Sequence, residues 1–159
     1  MTSPPLPDPL FYLDENFPYQ VADALSLVGY PITHPSAHSQ LEAKDPKLIP
    51  FLAEKRFVWI TKDDDARSRH RKELLANGIS VVWVRGIDRQ KSRMTPKQLH
   101  LLLASKLDEI ERRVRSARSS VYFLLYMNGE RPALKETSVI SAVGRLGEPR
   151  RRKGAKQVE

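Results

Sequence analysis

Two apolar runs limit the folds open to this chain more than any other feature. "RFVWIT" (56–61) and "ISVVWV" (79–84) are continuous, aromatic and β-branched, with no polar residue at alternate positions. A strand with one face in water alternates apolar and polar residues, so uninterrupted strands are buried on both faces. Between and around them lie segments with helical spacing. Val21, Ala22, Leu25 and Val28 recur at three-four intervals between Pro18 and Val28, and Gly29 stops that helix. A second helix is expected from Asp45 to Lys55, with Leu48, Ile49, Leu52 and Ala53 on one face, and a third from Ala66 to Asn77, with Leu74 and Leu75 inward and Gly78 at its end. Thr95 and Pro96 open a long fourth helix, striped by Leu99, Leu102, Leu103, Leu107, Ile110 and Val114. "LFYL" (10–13), "YPITH" (30–34) and "VYFLLYM" (121–127) complete the strands, and Asn128-Gly129 marks a turn. Buried strands alternating with amphipathic helices predict a single α/β domain, a mostly parallel central sheet with helices on both faces. Residues 1–9, with four prolines, read as an extended lead-in, 10–130 as the domain, and 131–159 as a basic, flexible tail.

With 159 residues there is enough chain for one core without staples, and the absence of cysteine removes disulfides, thiolate catalysis and cysteine-ligated zinc. The N-terminal "MTSPPLPDP" has neither the basic start nor the apolar run of a targeting segment, and no stretch reaches the roughly 20 apolar residues of a membrane span. A cytoplasmic protein is expected. The formal net charge of +8 favours a polyanionic partner, and about half of that excess falls between Arg145 and Glu159.

Against this basic background, "WITKDDDAR" (59–67) sets three aspartates where a buried strand emerges. In open α/β sheets, ligands gather beyond the carboxyl ends of the strands, at the point where strand order reverses. Asp14 follows the first strand directly, Asp63 follows the third, and Asp65 and Asp45 stand near helix starts. If the first and third strands are neighbours, these acids converge. Two carboxylates about 4 Å apart repel by roughly 4 kcal/mol near a protein surface. A hard divalent ion, Mg²⁺ or Mn²⁺, relieves that repulsion through oxygen ligands alone. Other residues read more plainly. Asn16 is expected as a helix cap, Pro35 between His34 and His38 argues against a histidine metal pair, His70 is a partly buried helix residue, and Trp59 and Trp83 belong to the core.

The ordering "FYLDEN … AKDPKLIPFLAEKRFVWITKDDDAR … GISVVWVRG" resembles the PIN-like nuclease domains, in particular the compact branch that opens with Asp-Glu-Asn and includes the VapC-type toxins of toxin–antitoxin pairs. The resemblance covers Leu10 to Gly86. It implies that Asp14, Asp45, Asp63 and Asp65 are the metal-binding and catalytic acids, and that Thr61 orients an acid or a metal-bound water. Glu42 and Asp45 both fit the second acidic position, Asp64 leaves the register within 63–65 open, and Glu15 is a supporting carboxylate. The implied reaction is Mg²⁺-dependent hydrolysis of RNA phosphodiester bonds, with Lys62, Arg67, Arg69, Arg71 and Lys72 contacting the RNA backbone. The implied setting is a type II toxin restrained by a cognate antitoxin, and the leucine stripe is long enough to serve a dimer or antitoxin interface as well as the core. Two other classes compete: an RNA-binding PIN-like module without catalysis, and a phosphotransfer receiver domain with Asp14 and Glu15 as its acid pair.

Overall fold

The computed structural model describes residues 10–35, 46–62, 71–85 and 94–137. Six strands form one sheet: β1 (Phe11–Leu13), β2 (Ile32–Thr33), β3 (Val58–Thr61), β4 (Val81–Val84), β5 (Tyr122–Asn128) and β6 (Arg131–Thr137), in the spatial order β2-β1-β3-β4-β5-β6. The first five run parallel, and β6 turns back antiparallel to β5. Among the described residues four helices accompany them: α1 (Tyr19–Leu27), α2 (Leu48–Lys55), α3 (Arg71–Asn77) and α4 (Pro96–Ser116). The expected α/β architecture with a mostly parallel sheet is the one observed.

Strand alternation sorts side chains into two layers. Phe11 and Leu13 of β1, Val58 and Ile60 of β3, Val82 and Val84 of β4, and Phe123 and Leu125 of β5 form one cluster with α1 and the leucines of α4. Tyr12, Trp59, Val81, Trp83 and Tyr122 point the other way and pack with Leu48, Ile49 and Leu52 of α2 and Leu74 of α3. Each such side chain removed from water contributes about 1.5 to 3 kcal/mol, so both faces of the sheet must be covered for the strands to persist. Trp59 and Trp83 are fully buried strand residues, as their positions in the runs predict. Leu75 differs from expectation: it is 45 % exposed while Leu74 is buried, because successive residues stand about 100° apart around a helix and the covered stripe of this short helix takes in Leu74 but not Leu75.

Helix ends follow local chemistry. Thr95 caps α4 in a capping box, its hydroxyl accepting from the Gln98 N–H while the Gln98 side chain accepts from the Thr95 N–H, and Pro96 occupies the first turn, where its missing donor is harmless. Gly78 closes α3 with φ 63°. α1 begins at Pro18 without a side-chain cap, so Asn16 does not cap it.

The boundary expected at 130 falls inside a hairpin. Asn128 pairs with Arg131 across a two-residue loop that opens with Gly129 at φ 66°, the conformation such a tight turn demands of its first residue. Arg131–Thr137 therefore extends the sheet instead of starting a tail. Its sequence, RPALKET, lacks the apolar density of the other strands because an edge strand buries only part of its surface. Leu134 packs on the α4 side, and Glu136 meets Arg113 of α4, whose guanidinium also lies over the Phe123 ring. No helix among the described residues is long and apolar enough to cross a membrane.

Candidate active site

The chain leaves β1 at Leu13, whose register partner on β3 is Ile60, so the next residues, Asp14 and Thr61, emerge side by side. The Asp14 N–H donates to the Ile60 carbonyl at 2.9 Å, which carries the ladder one residue past the strand and fixes the Asp14 backbone. β1 is also where the sheet order reverses: the chain passes from β1 out to β2 on one side and then returns to β3 on the other. Asp14 and Thr61 thus flank the crevice in which doubly wound sheets hold their ligands.

Both side chains are buried, Asp14 at 2 % exposure and Thr61 at 0 %. The Thr61 hydroxyl donates to Asp14 Oδ2 at 2.7 Å, and the Asn16 amide donates to the same oxygen at 3.3 Å. The backbone N–H groups of Glu15 and Asn16 also turn toward this carboxylate, and the Phe17 N–H donates to the Asp14 main-chain carbonyl at 3.1 Å, closing a β-turn over residues 14–17. Burial pushes the Asp14 carboxyl above its ordinary value, and the hydrogen bonds from Thr61, Asn16 and the two backbone groups pull it down without cancelling that effect. A carboxylate that is rigidly held, surrounded by donors and still short of compensating charge suits a hard cation, which takes oxygen ligands and needs only one or two carboxylates when water and phosphate complete its shell. Among the described residues Asp14 is the one buried acid, so such an ion would need further oxygen ligands from elsewhere.

The other expected site residues divide into two groups. Glu15 is exposed on the turn after Asp14. Lys62 directly follows Thr61, is exposed, and holds its ammonium 5.8 Å from the centre of the Phe17 ring, a cation–π contact that places positive charge beside the Asp14 turn. Lys72 is exposed on α3, and Arg71 is the first residue of that helix. Asp45, Asp63, Asp64, Asp65, Glu42, Arg67 and Arg69 lie outside the described residues, as do His38 and His70. Among the described residues no group of three or more histidine, cysteine or acidic side chains comes together.

Asn16 is the site residue that sequence reasoning assigned elsewhere. Its amide binds Asp14, and the signal for this was the Asp-x-Asn spacing in a turn, where a side chain two residues on folds back over the first carboxylate. His34, set aside as a metal ligand, is 5 % exposed at the end of β2 and pairs through Nε2 with Asp23 Oδ1 of α1 at 2.9 Å. Its position ties α1 to the sheet.

No curated protein and no solved structure matches the chain at a significant level. Residues 9–86 match the family model of the PIN-like domain. The matched span runs from just before β1 to just after β4 and contains both residues of the buried pair at the switch point. Over that span, just under half of the chain, the sequence is similar to the PIN-like domain.

Proposed function

We propose that this chain is a divalent-metal-dependent ribonuclease that hydrolyses RNA phosphodiester bonds, and that it acts as the toxin of a type II toxin–antitoxin pair. The observation that carries the catalytic reading is the Asp14 carboxylate, buried at the sheet's switch point and held by Thr61. The similarity of residues 9–86 to the PIN-like domain supports nuclease chemistry at a coarse level.

In this reading Asp14 holds Mg²⁺ or Mn²⁺ together with Asp63 and Asp65, and with Asp45 or Glu42 as a further acid. The ion, when bound, lowers the pKa of a coordinated water and offsets charge on the phosphate. Thr61 keeps the Asp14 carboxylate in one orientation by donating to Oδ2, and Asn16 limits its rotation from the other side. Lys62 supplies positive charge for the RNA backbone at the mouth of the site, with Lys72, Arg67, Arg69 and Arg71 following in sequence. No covalent nucleophile is required. The receiver reading shares the strand order of the first five strands, yet β5, YFLLYMN, carries no lysine where that class places one late in the chain.

The test is direct. Purified chain with single-stranded and structured RNA in Mg²⁺ is expected to cleave, EDTA to stop it, and Mn²⁺ to restore it. RNA binding without cleavage in any divalent ion would instead identify a non-catalytic RNA-binding module. Co-purification with a small neighbouring-gene protein that suppresses cleavage is the expected sign of the toxin role.

A further inference from the structure

The row of residues level with Asp14 continues across the sheet. Asp14 stands beside Thr61, and the register runs from Thr61 to Trp83, from Trp83 to Leu124 and from Leu124 to Lys135. Such partners share one face, here the one that Trp83 and Tyr122 turn toward α2 and α3. Past β4 the cover changes: α4 packs on β5 and β6 from the opposite face, and no residue of β6 belongs to the cluster that holds α2 and α3. Tyr126, two residues beyond Leu124, lies on this second face opposite Ala133, with Arg131 and Lys135 on either side. Tyr126 is partly exposed, and both basic residues are exposed. We propose that this part of the sheet binds single-stranded RNA, with one base stacked on the Tyr126 ring and the neighbouring phosphates held by Arg131 and Lys135.

Edge strands carry lysine and proline to discourage pairing with other chains, and Pro132 with Lys135 meets that need on β6. Three observations go beyond it. Tyr126 belongs to β5, an inner strand, and the residue across from it, Ala133, has only a methyl group, so the cross-strand neighbour leaves the ring open to a flat partner. Charge is the second. Strand alternation sends Glu136, the acid of β6, to the α4 face, where Arg113 pairs with it. Arg131 and Lys135 therefore share their face with no carboxylate from either strand of the hairpin, and among the described residues neither forms an ion pair. The third is placement. Four residues of strand set Arg131 and Lys135 roughly 13 Å apart with the tyrosine between them, and Lys135 lies three strand spacings, about 14 Å, from Thr61 along the same row. Aromatic faces interleaved with positive charge are what a single strand of nucleic acid uses, since its bases are free to stack and its phosphates carry the charge. An acidic peptide would use the charge alone. The choice of RNA rests on the proposed nuclease reading, whereas the binding surface does not.

Binding is measured in EDTA, where metal-dependent cleavage cannot interfere. The full chain is titrated against a labelled short single-stranded RNA and against the matching duplex by fluorescence anisotropy over a range of salt. Tyr126→Leu removes the flat face and keeps apolar bulk, while Tyr126→Phe keeps the ring. Arg131→Gln/Lys135→Gln removes the charge, and Lys97→Gln/Arg112→Gln takes the same charge from exposed positions of α4. Melting temperatures confirm that each variant folds. Affinity for the single strand is expected to fall about 5- to 100-fold in Tyr126→Leu with the salt dependence unchanged, and to be retained in Tyr126→Phe. Arg131→Gln/Lys135→Gln is expected to lose at least about tenfold, with a salt dependence shallower by about 0.7 for each phosphate contact removed, and the α4 variant to change little. Duplex binding is expected to be indifferent to Tyr126→Leu, because paired bases are already stacked on one another. Full affinity in folded Tyr126→Leu, equal losses in the two charge variants, or tighter Arg131- and Lys135-dependent binding of a poly-aspartate peptide than of RNA would overturn the proposal. Cleavage with binding unchanged in every variant would sink this surface and leave the nuclease reading standing, while the expected binding without cleavage in any divalent ion would do the reverse.

Discussion

Thr61 and Asp14 stand 47 residues apart in the chain, yet the Thr61 hydroxyl donates to Asp14 Oδ2 at 2.7 Å, with both residues buried. The contact exists because β1 and β3 pair in parallel with Leu13 opposite Ile60, so the residues after them share one exit from the sheet. A buried acid held this way is costly to the fold and useful to a metal-dependent reaction.

Replacing Asp14 by Asn separates the two effects. RNA cleavage is expected to fall roughly 100-fold or more, the scale of losing one charge-stabilising group at a reacting centre. Stability in metal-free buffer at neutral pH is expected to rise, because the amide still accepts from Thr61 and no ionised group is buried. Thermal denaturation of both proteins checks this, and a lower melting temperature for Asp14→Asn would contradict it.

Thr61→Val keeps the shape of the side chain and removes the donor. The Asp14 carboxylate then loses its shortest side-chain hydrogen bond, a change of about 1 to 3 kcal/mol in a buried setting. Metal-dependent activity is expected to drop about 10- to 100-fold, as it does when groups that orient a ligand are lost. Thr61→Ser should retain most of both. Denaturant titration and the Mg²⁺ dependence of cleavage are the measurements.

The pH dependence of stability carries the mark of Asp14. Its folded-state value lies above the ordinary 3.8 because burial dominates the hydrogen bonds. Within that window the folded chain holds a proton that the unfolded chain has released. Stability from this group is therefore fully present below the unfolded value and is lost as pH rises through the folded one. In EDTA, the melting temperature of the wild type minus that of Asp14→Asn is expected to fall as pH rises from about 4 towards neutrality. A difference that stays flat across this range would count against the desolvated carboxylate.

The position of β6 predicts where the domain can be cut. A chain ending at Glu130 loses the whole β5–β6 ladder together with Leu134 and the Arg113–Glu136 pair. It is expected to be about 2 to 4 kcal/mol less stable than a chain ending at Thr137. Urea titration of the two truncations decides the matter, and equal midpoints would restore the earlier boundary.

The sequence by itself determined the elements and the fold class. Continuous runs such as 56–61 and 79–84 have no polar face to offer water, and the leucine stripe of α4 has only one apolar face, so a sheet covered on both sides is the arrangement that buries them. It also placed Asp14 and Thr61 at strand ends, where chemistry in such sheets is found. Tertiary structure alone decided that β1 and β3 are neighbours, because pairing depends on contacts between distant segments that no local pattern encodes. That adjacency turned Asp14 into a buried hydrogen-bonded carboxylate and drew Asn16 from the expected cap to the Asp14 side chain. The same limit hid β6: an edge strand is defined by the partner it pairs with, and RPALKET reads as a polar tail until β5 lies beside it.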